Sequence, residues 1–67
     1  MAATQTMAFA VAVSALRDAG QAQDAVQDAY IIAFRRLRDL DEPAAFLSWL
    51  RRIVITTALN ARRARRV

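Results

Sequence analysis

The stretch FLSWLRRIVITTALNARRARR, residues 46–66, decides the fold of this chain. On a helix of about 3.6 residues per turn, its apolar side chains follow one stripe and its arginines lie mainly on the opposite side. The stripe contains Phe46, Trp49, Leu50, Ile53, Thr57 and Ala61, and the opposite side contains Arg51, Arg52, Arg62, Arg63 and Arg66. The stretch therefore predicts an amphipathic helix with one packing face and one basic face.

Charge is distributed unevenly along the chain. Residues 1–43 hold all six acidic residues and four arginines (−2), whereas residues 44–67 hold six arginines and no acid (+6). A basic segment without counter-charge is typical of a surface that meets nucleic-acid phosphates. All ten basic residues are arginine, which favours bidentate contacts with phosphates and bases, although high-GC coding bias gives the same preference.

Composition also limits the chemistry of the chain. Its 67 residues are enough for one small domain with a small core. It contains no cysteine and no histidine, and therefore lacks a thiol nucleophile, a cysteine zinc site and the commonest general base. We expect no enzymatic activity, no cofactor and no metal site.

The apolar opening MAATQTMAFAVAVSAL is not predicted to be a targeting or membrane segment. It has no positively charged start and is interrupted by polar residues at positions 4–6, unlike a secretory signal. It is also too short to span a bilayer. We expect a cytoplasmic protein without a membrane partner.

Hydrophobic periodicity and capping residues divide the chain into three helices, at about 4–18, 21–38 and 43–65. The predicted fold is all-α, a small three-helix bundle that forms a single domain over residues 1–67. Gly20, the one glycine, predicts a short turn at residues 19–21, after the first helix. Before Pro43, either aspartate or glutamate of the Asp-Glu pair can cap the third helix.

The second predicted helix has two faces. Its packing stripe contains Val26, Ala29, Tyr30, Ala33, Phe34 and Leu37, and its outer side contains Asp24, Gln27, Asp28, Ile31, Arg35 and Arg38. Ile31 and Ile32 fall outside the packing stripe. Two isoleucines beside polar residues favour a surface that another protein covers, although scattered apolar exposure is ordinary in monomers.

Two motifs carry a family resemblance. DAVQDAYIIAFRRL at 24–37, followed by FLSWLRRIVITTALNARRARR at 46–66, resembles region 2 of extracytoplasmic-function (ECF) sigma factors, the promoter-recognition subunits of bacterial RNA polymerase. The resemblance extends over about residues 16–66. It implies an all-α sigma region 2 fold and a role in transcription initiation.

The resemblance also implies a polymerase-binding face on the second helix. In this family that helix docks on the clamp helices of the largest polymerase subunit. Position by position, the implied contacts are Asp24, Gln27, Asp28, Ile31 and Arg35. Carboxylates and an amide around an apolar residue suit a small, orienting interface. The alternative is that Asp24 and Asp28 only complement the helix dipole.

The third helix is implied to read the non-template strand of the minus-ten promoter element as the duplex melts. A splayed base would enter a pocket formed partly by the loop at 39–45. The resemblance assigns base edges to Thr56 and Asn60, and phosphate or duplex-edge contacts to Arg52, Arg62 and Arg63. Thr56 stands where the family usually has asparagine, so either the base specificity is altered or base reading there is weakened. Phe46 and Trp49 are interpreted as core residues rather than stacking platforms.

The sequence departs from a complete ECF sigma factor. It contains no predicted helix-turn-helix domain for the minus-thirty-five element, and its start is short. A lone promoter-melting domain, a fragment and a relic all remain open, and an anti-sigma factor is a further candidate partner. The alternative function is a basic helical interaction module that binds protein through Ile31, Ile32, Ile55 and Leu59 and binds DNA nonspecifically.

Overall fold

A computed structural model describes the backbone of residues 2–66 and the side chains of residues 4–64. The described chain forms three α-helices, α1 (Ala2–Leu16), α2 (Ala19–Arg35) and α3 (Phe46–Arg66), with two short 3₁₀ turns between α2 and α3. Each α-helix packs against the other two. The predicted all-α three-helix fold is confirmed. The side chain of Arg66, assigned to the basic face from sequence, lies outside the described residues.

The connection between α1 and α2 differs from the prediction. Arg17 ends α1 in a left-handed conformation (φ 56°), and its amide donates to the Val13 carbonyl at 2.7 Å. Asp18 is the N-cap of α2, because its carboxylate accepts a hydrogen bond from the Gln21 amide at 2.8 Å. The turn predicted at Gly20 is therefore wrong: this glycine lies in the first turn of α2 without a positive φ.

The connection between α2 and α3 consists of two 3₁₀ turns, Leu37–Asp39 and Pro43–Ala45. The predicted bounds at 38 and 43 fall in these turns, where the helix tightens at its end, as is common. Glu42 caps the second turn by accepting from the Ala44 amide at 3.4 Å. Pro43 occupies a first-turn position, where its missing amide proton is not needed.

The core is built largely from alanine. The buried side chains are Ala8, Ala12 and Leu16 of α1, Ala22, Ala25, Ala29 and Ala33 of α2, and Leu50, Ile53, Val54 and Ala58 of α3. Small side chains at spacings of three and four residues let helix backbones approach closely. Among the described side chains, Leu50 and Val54 are the largest that are fully buried.

The packing stripe predicted for α2 requires correction. Phe34 is 80% exposed and Leu37 is 48% exposed, so neither is a core residue. Val26 and Tyr30 are partly buried at the edge of the core. The large side chains lie outside the core because α2 contacts its neighbours through its alanines. Tyr30 keeps its hydroxyl buried, without a hydrogen-bond partner.

The apolar stripe of α3 agrees better with its prediction. Leu50 and Ile53 are buried, while Phe46 and Trp49 are partly buried against the core. The two aromatic rings lie 6.1 Å apart between centroids and are tilted by 39°. None of the described helices is long and apolar enough to cross a membrane.

Candidate nucleic-acid and protein interfaces

An open groove of about 950 Å³ runs between α2 and α3. We call it the α2–α3 groove. Its α2 side is lined by Asp28, Ile31, Ile32, Arg35 and Arg36, and its α3 side by Trp49, Arg52, Ile53, Thr56, Thr57, Asn60 and Ala61. The apolar floor is therefore bordered by charged and hydrogen-bonding side chains. Binding clefts commonly combine these features.

A second hollow of about 380 Å³ adjoins the groove further along α3. It is lined by Thr56, Leu59, Asn60, Arg62 and Arg63. Thr56 and Asn60 line both hollows. The five residues assigned to DNA from the sequence thus lie on one connected surface of α3, and the two polar residues stand at its centre.

Local helix geometry explains this arrangement. Arg52, Thr56 and Asn60 follow one another at intervals of four residues, which places them on successive turns of the same helix face. That face flanks the buried stripe of Leu50, Ile53 and Val54 and stays exposed. Packing of the α3 core therefore orients the polar row toward the groove.

The arginines on this surface are available to an external anion. Arg52, Arg62 and Arg63 are exposed. Among the side chains of residues 4–64, no arginine forms an ion pair with a carboxylate. A guanidinium offers several donors in a planar fork that matches phosphate geometry. The exposed amide of Asn60 both donates and accepts, as a base edge requires.

The outer side of α2 presents the other predicted group. Asp24, Gln27, Asp28, Ile31 and Arg35 are all exposed, and Ile31 is exposed by 52%. We call these five residues the α2 outer face. Three of them, Asp28, Ile31 and Arg35, also line the α2–α3 groove, whereas Asp24 and Gln27 do not. The two groups predicted as separate surfaces therefore share one edge.

Phe34 is a surface residue that sequence reasoning missed. It lies three residues after Ile31 and seven after Gln27, so it extends the α2 outer face. A large aromatic side chain at 80% exposure is unusual for the surface of a monomer. The signal was present in the sequence, because Ala22, Ala25, Ala29 and Ala33 form a continuous small-residue stripe that leaves Phe34 outside.

The loop between α2 and α3 reaches the groove at one of its residues. Of loop residues 39–45, Asp39 is the one among the groove-lining residues. Its carboxylate and that of Asp28 are matched by the guanidinium groups of Arg35 and Arg36, so this side of the groove has no net charge. Within the described residues, no cluster of three or more potential metal-binding side chains occurs.

Comparison with known proteins assigns the family. The profile described as Sigma-70 region 2 matches residues 1–67. The chain belongs to the sigma-70 region 2 family. No solved structure gives a significant match to this sigma region 2 chain.

Two curated relatives are sigma factors. The chain is 38% identical over 64 residues to the probable RNA polymerase sigma factor RfaY of Xanthomonas campestris, an alignment that covers 96% of this chain and 16% of the relative. It is 47% identical over 45 residues to the RNA polymerase sigma-H factor of Pseudomonas aeruginosa, covering 67% of this chain and 23% of the relative. The sigma region 2 chain thus spans less than a quarter of either relative. The sequence-based assignment to sigma region 2 is confirmed.

Proposed function

We propose that this chain is the part of a bacterial sigma factor that binds core RNA polymerase and recognises and melts the minus-ten promoter element. The observation that carries the proposal is the connected surface of α3, where Thr56 and Asn60 line two adjoining hollows beside Arg52, Arg62 and Arg63. Membership of the sigma-70 region 2 family supports it. In this proposal the domain acts in the bacterial cytoplasm, where transcription takes place.

Promoter melting in this proposal is a binding effect. A domain that binds unpaired non-template DNA and not the duplex stabilises the melted state by RT ln(1 + c/Kd), where c is the concentration of the free domain. The open α2–α3 groove has room for an unstacked base, with Trp49 at its apolar wall and Asn60 at its rim. In a duplex the base is stacked and its Watson–Crick edge is bonded to the complementary base, so that edge is not free to bond Asn60.

The arginines supply affinity in this proposal, and the polar row supplies selectivity. Arg52, Arg62 and Arg63 contact phosphates of any sequence and fix the strand along α3. Asn60 then discriminates among bases through its paired donor and acceptor. Threonine at position 56 offers one hydroxyl, and its discrimination is correspondingly weaker than that of an amide.

The α2 outer face is the proposed site for the clamp helices of the largest polymerase subunit. Its exposed Ile31 lies among Asp24, Gln27 and Asp28, an arrangement of apolar anchor and polar rim that suits a protein interface. Asp24 and Gln27 lie off the groove. They are therefore the residues whose substitution tests polymerase binding without altering the DNA surface.

The experiment is capture of bacterial core RNA polymerase by the immobilised chain, without DNA. We expect the double variant Asp24→Ala/Gln27→Ala to retain helicity and to lose at least tenfold in affinity, since both side chains are exposed. Arg51→Ala, on an exposed part of α3 outside both hollows, is the control and should bind like the original chain. Unchanged binding by the double variant would place the polymerase contact elsewhere.

A basic interaction module remains the second candidate. Ile31 at 52% and Leu59 at 45% exposure are apolar side chains that a protein partner could cover. Ile32 and Ile55 are partly buried and contribute less surface. Such a module has no use for a base preference at Asn60. An anti-sigma factor is a further candidate partner for the same apolar side chains.

A further inference from the structure

The α2 outer face and the 3₁₀ turn that follows it have a symmetric arrangement of charge. Asp24 and Asp28 lie seven and three residues before Ile31, while Arg35 and Arg38 lie four and seven residues after it. The face is therefore acidic toward its beginning, apolar at its middle and basic toward its end. Arg38 stands in the 3₁₀ turn that directly follows α2. All four charged side chains are exposed.

We propose that two copies of this chain associate through antiparallel α2 helices, with Ile31 near the two-fold axis. In this arrangement Asp24 of each copy meets Arg38 of the other, and Asp28 meets Arg35. A two-fold interface must be self-complementary, and the near-equal spacing about Ile31 satisfies that condition. The antiparallel arrangement also opposes the two helix dipoles favourably.

Apolar surface is available at the centre of this interface. Phe34 is 80% exposed and Ile31 is 52% exposed, and each stands between the acidic and basic ends. Association would remove both from water, and burial of apolar surface favours binding. Within the described residues, the flanking charged side chains have no ion-pair partner inside the chain. A second copy supplies apolar surface for Phe34 and Ile31, and it supplies oppositely charged partners for the flanking side chains.

The chain exposes more surface than a compact monomer of the same mass. The chain exposes 5175 Å², whereas a compact monomer of its 7.5 kDa mass exposes about 4,250 Å². The thin shape, 36 × 24 × 15 Å, accounts for the excess and leaves the outside of α2 accessible.

Self-association would compete with polymerase binding if the proposed function is correct, because both use the α2 outer face. A sigma domain stored as a dimer would then be released by dilution or by the polymerase itself. The proposed dimer does not depend on this competition with polymerase. The dimer is inferred from the charge pattern and the exposed apolar residues of α2, and it is tested with neither polymerase nor DNA present.

The test is sedimentation equilibrium of the full chain over a range of concentrations. We expect the apparent mass to rise from one chain toward two. Asp24→Arg or Arg38→Asp alone should move the association midpoint at least tenfold higher, since each places like charges opposite one another. An equimolar mixture of these two variants should restore association, because a mixed pair again opposes unlike charges at both ends.

Controls separate this effect from altered folding. Arg51→Asp makes the same charge change as Arg38→Asp on a remote exposed site of α3 and should leave the midpoint unchanged. Phe34→Ala should weaken association, whereas Leu47→Ala, at a site 56% exposed on α3, should not. A chain that stays monomeric at all concentrations overturns the proposal, as does a mixture of charge variants that fails to associate. Neither result touches polymerase binding, which the capture experiment measures independently.

Discussion

Individual residues carry clear stability predictions, and Tyr30 is one of them. Its hydroxyl is buried without a hydrogen-bond partner, a situation that costs about 1–3 kcal/mol in folded proteins. Tyr30→Phe keeps the ring and removes the hydroxyl. We expect the free energy of unfolding, measured by urea denaturation, to rise by about 1 kcal/mol. A loss of stability would show that the hydroxyl has a partner.

Arg17 is a second residue with a predictable effect. It holds a left-handed conformation at the end of α1 (φ 56°), which disfavours any side chain with a Cβ atom. Arg17→Gly should therefore stabilise the chain by about 1 kcal/mol. As a control, Arg51→Gly places glycine within α3 and should destabilise by about 1 kcal/mol. Thermal denaturation measures the change in stability of both variants. Changes of the same sign would contradict the left-handed conformation of Arg17.

Among the helices, α3 was predicted more accurately than α2. The large apolar residues of α3 mark its buried stripe, because Leu50 and Ile53 are also the residues that pack. In α2 the same rule pointed to Phe34 and failed, since alanines form the contact. Periodicity gives the angle of an amphipathic face, but it does not show which of two overlapping stripes allows the closer approach of neighbouring helices.

The candidate site was also predictable only in part. The row Arg52, Thr56 and Asn60 was predictable, because residues four apart on a helix share a face. Its meeting with Asp28 and Arg35 in one groove was not predictable. That proximity depends on how α2 and α3 pack, which involves contacts between residues far apart in sequence. The role of each side chain at this surface stays a prediction.

Helix α3 should show the salt dependence of a single-strand binding surface. If Arg52, Arg62 and Arg63 each neutralise one phosphate, log affinity for single-stranded DNA should fall with log salt at a slope of about −2. Arg62→Ala/Arg63→Ala should reduce the slope to about −0.7, equally for all sequences. Arg51→Ala should leave it unchanged. Fluorescence anisotropy titrations at several salt concentrations measure the slopes, and an unaltered slope in the double variant excludes these contacts.

Stability of the whole molecule rests on very few large side chains. Leu50→Ala removes one of the two largest fully buried side chains among the described residues and should cost about 2–5 kcal/mol. That is much of the stability expected for a small domain. Leu47→Ala, the same substitution three residues earlier at a site 56% exposed, should cost below about 0.5 kcal/mol. Similar effects on the two unfolding curves would contradict the described core.

The most direct test of the proposed function joins the full chain, bacterial core RNA polymerase and a promoter fragment whose minus-ten region is already unpaired. We expect the chain to recruit polymerase to the unpaired fragment, and to the fully paired fragment far more weakly. Varying one non-template base at a time should reveal a preference that Asn60→Ala removes, worth about 1–3 kcal/mol. Mobility-shift titration measures this preference. Equal binding to every base sequence, or an Asn60→Ala variant that retains the preference, would contradict promoter reading by α3.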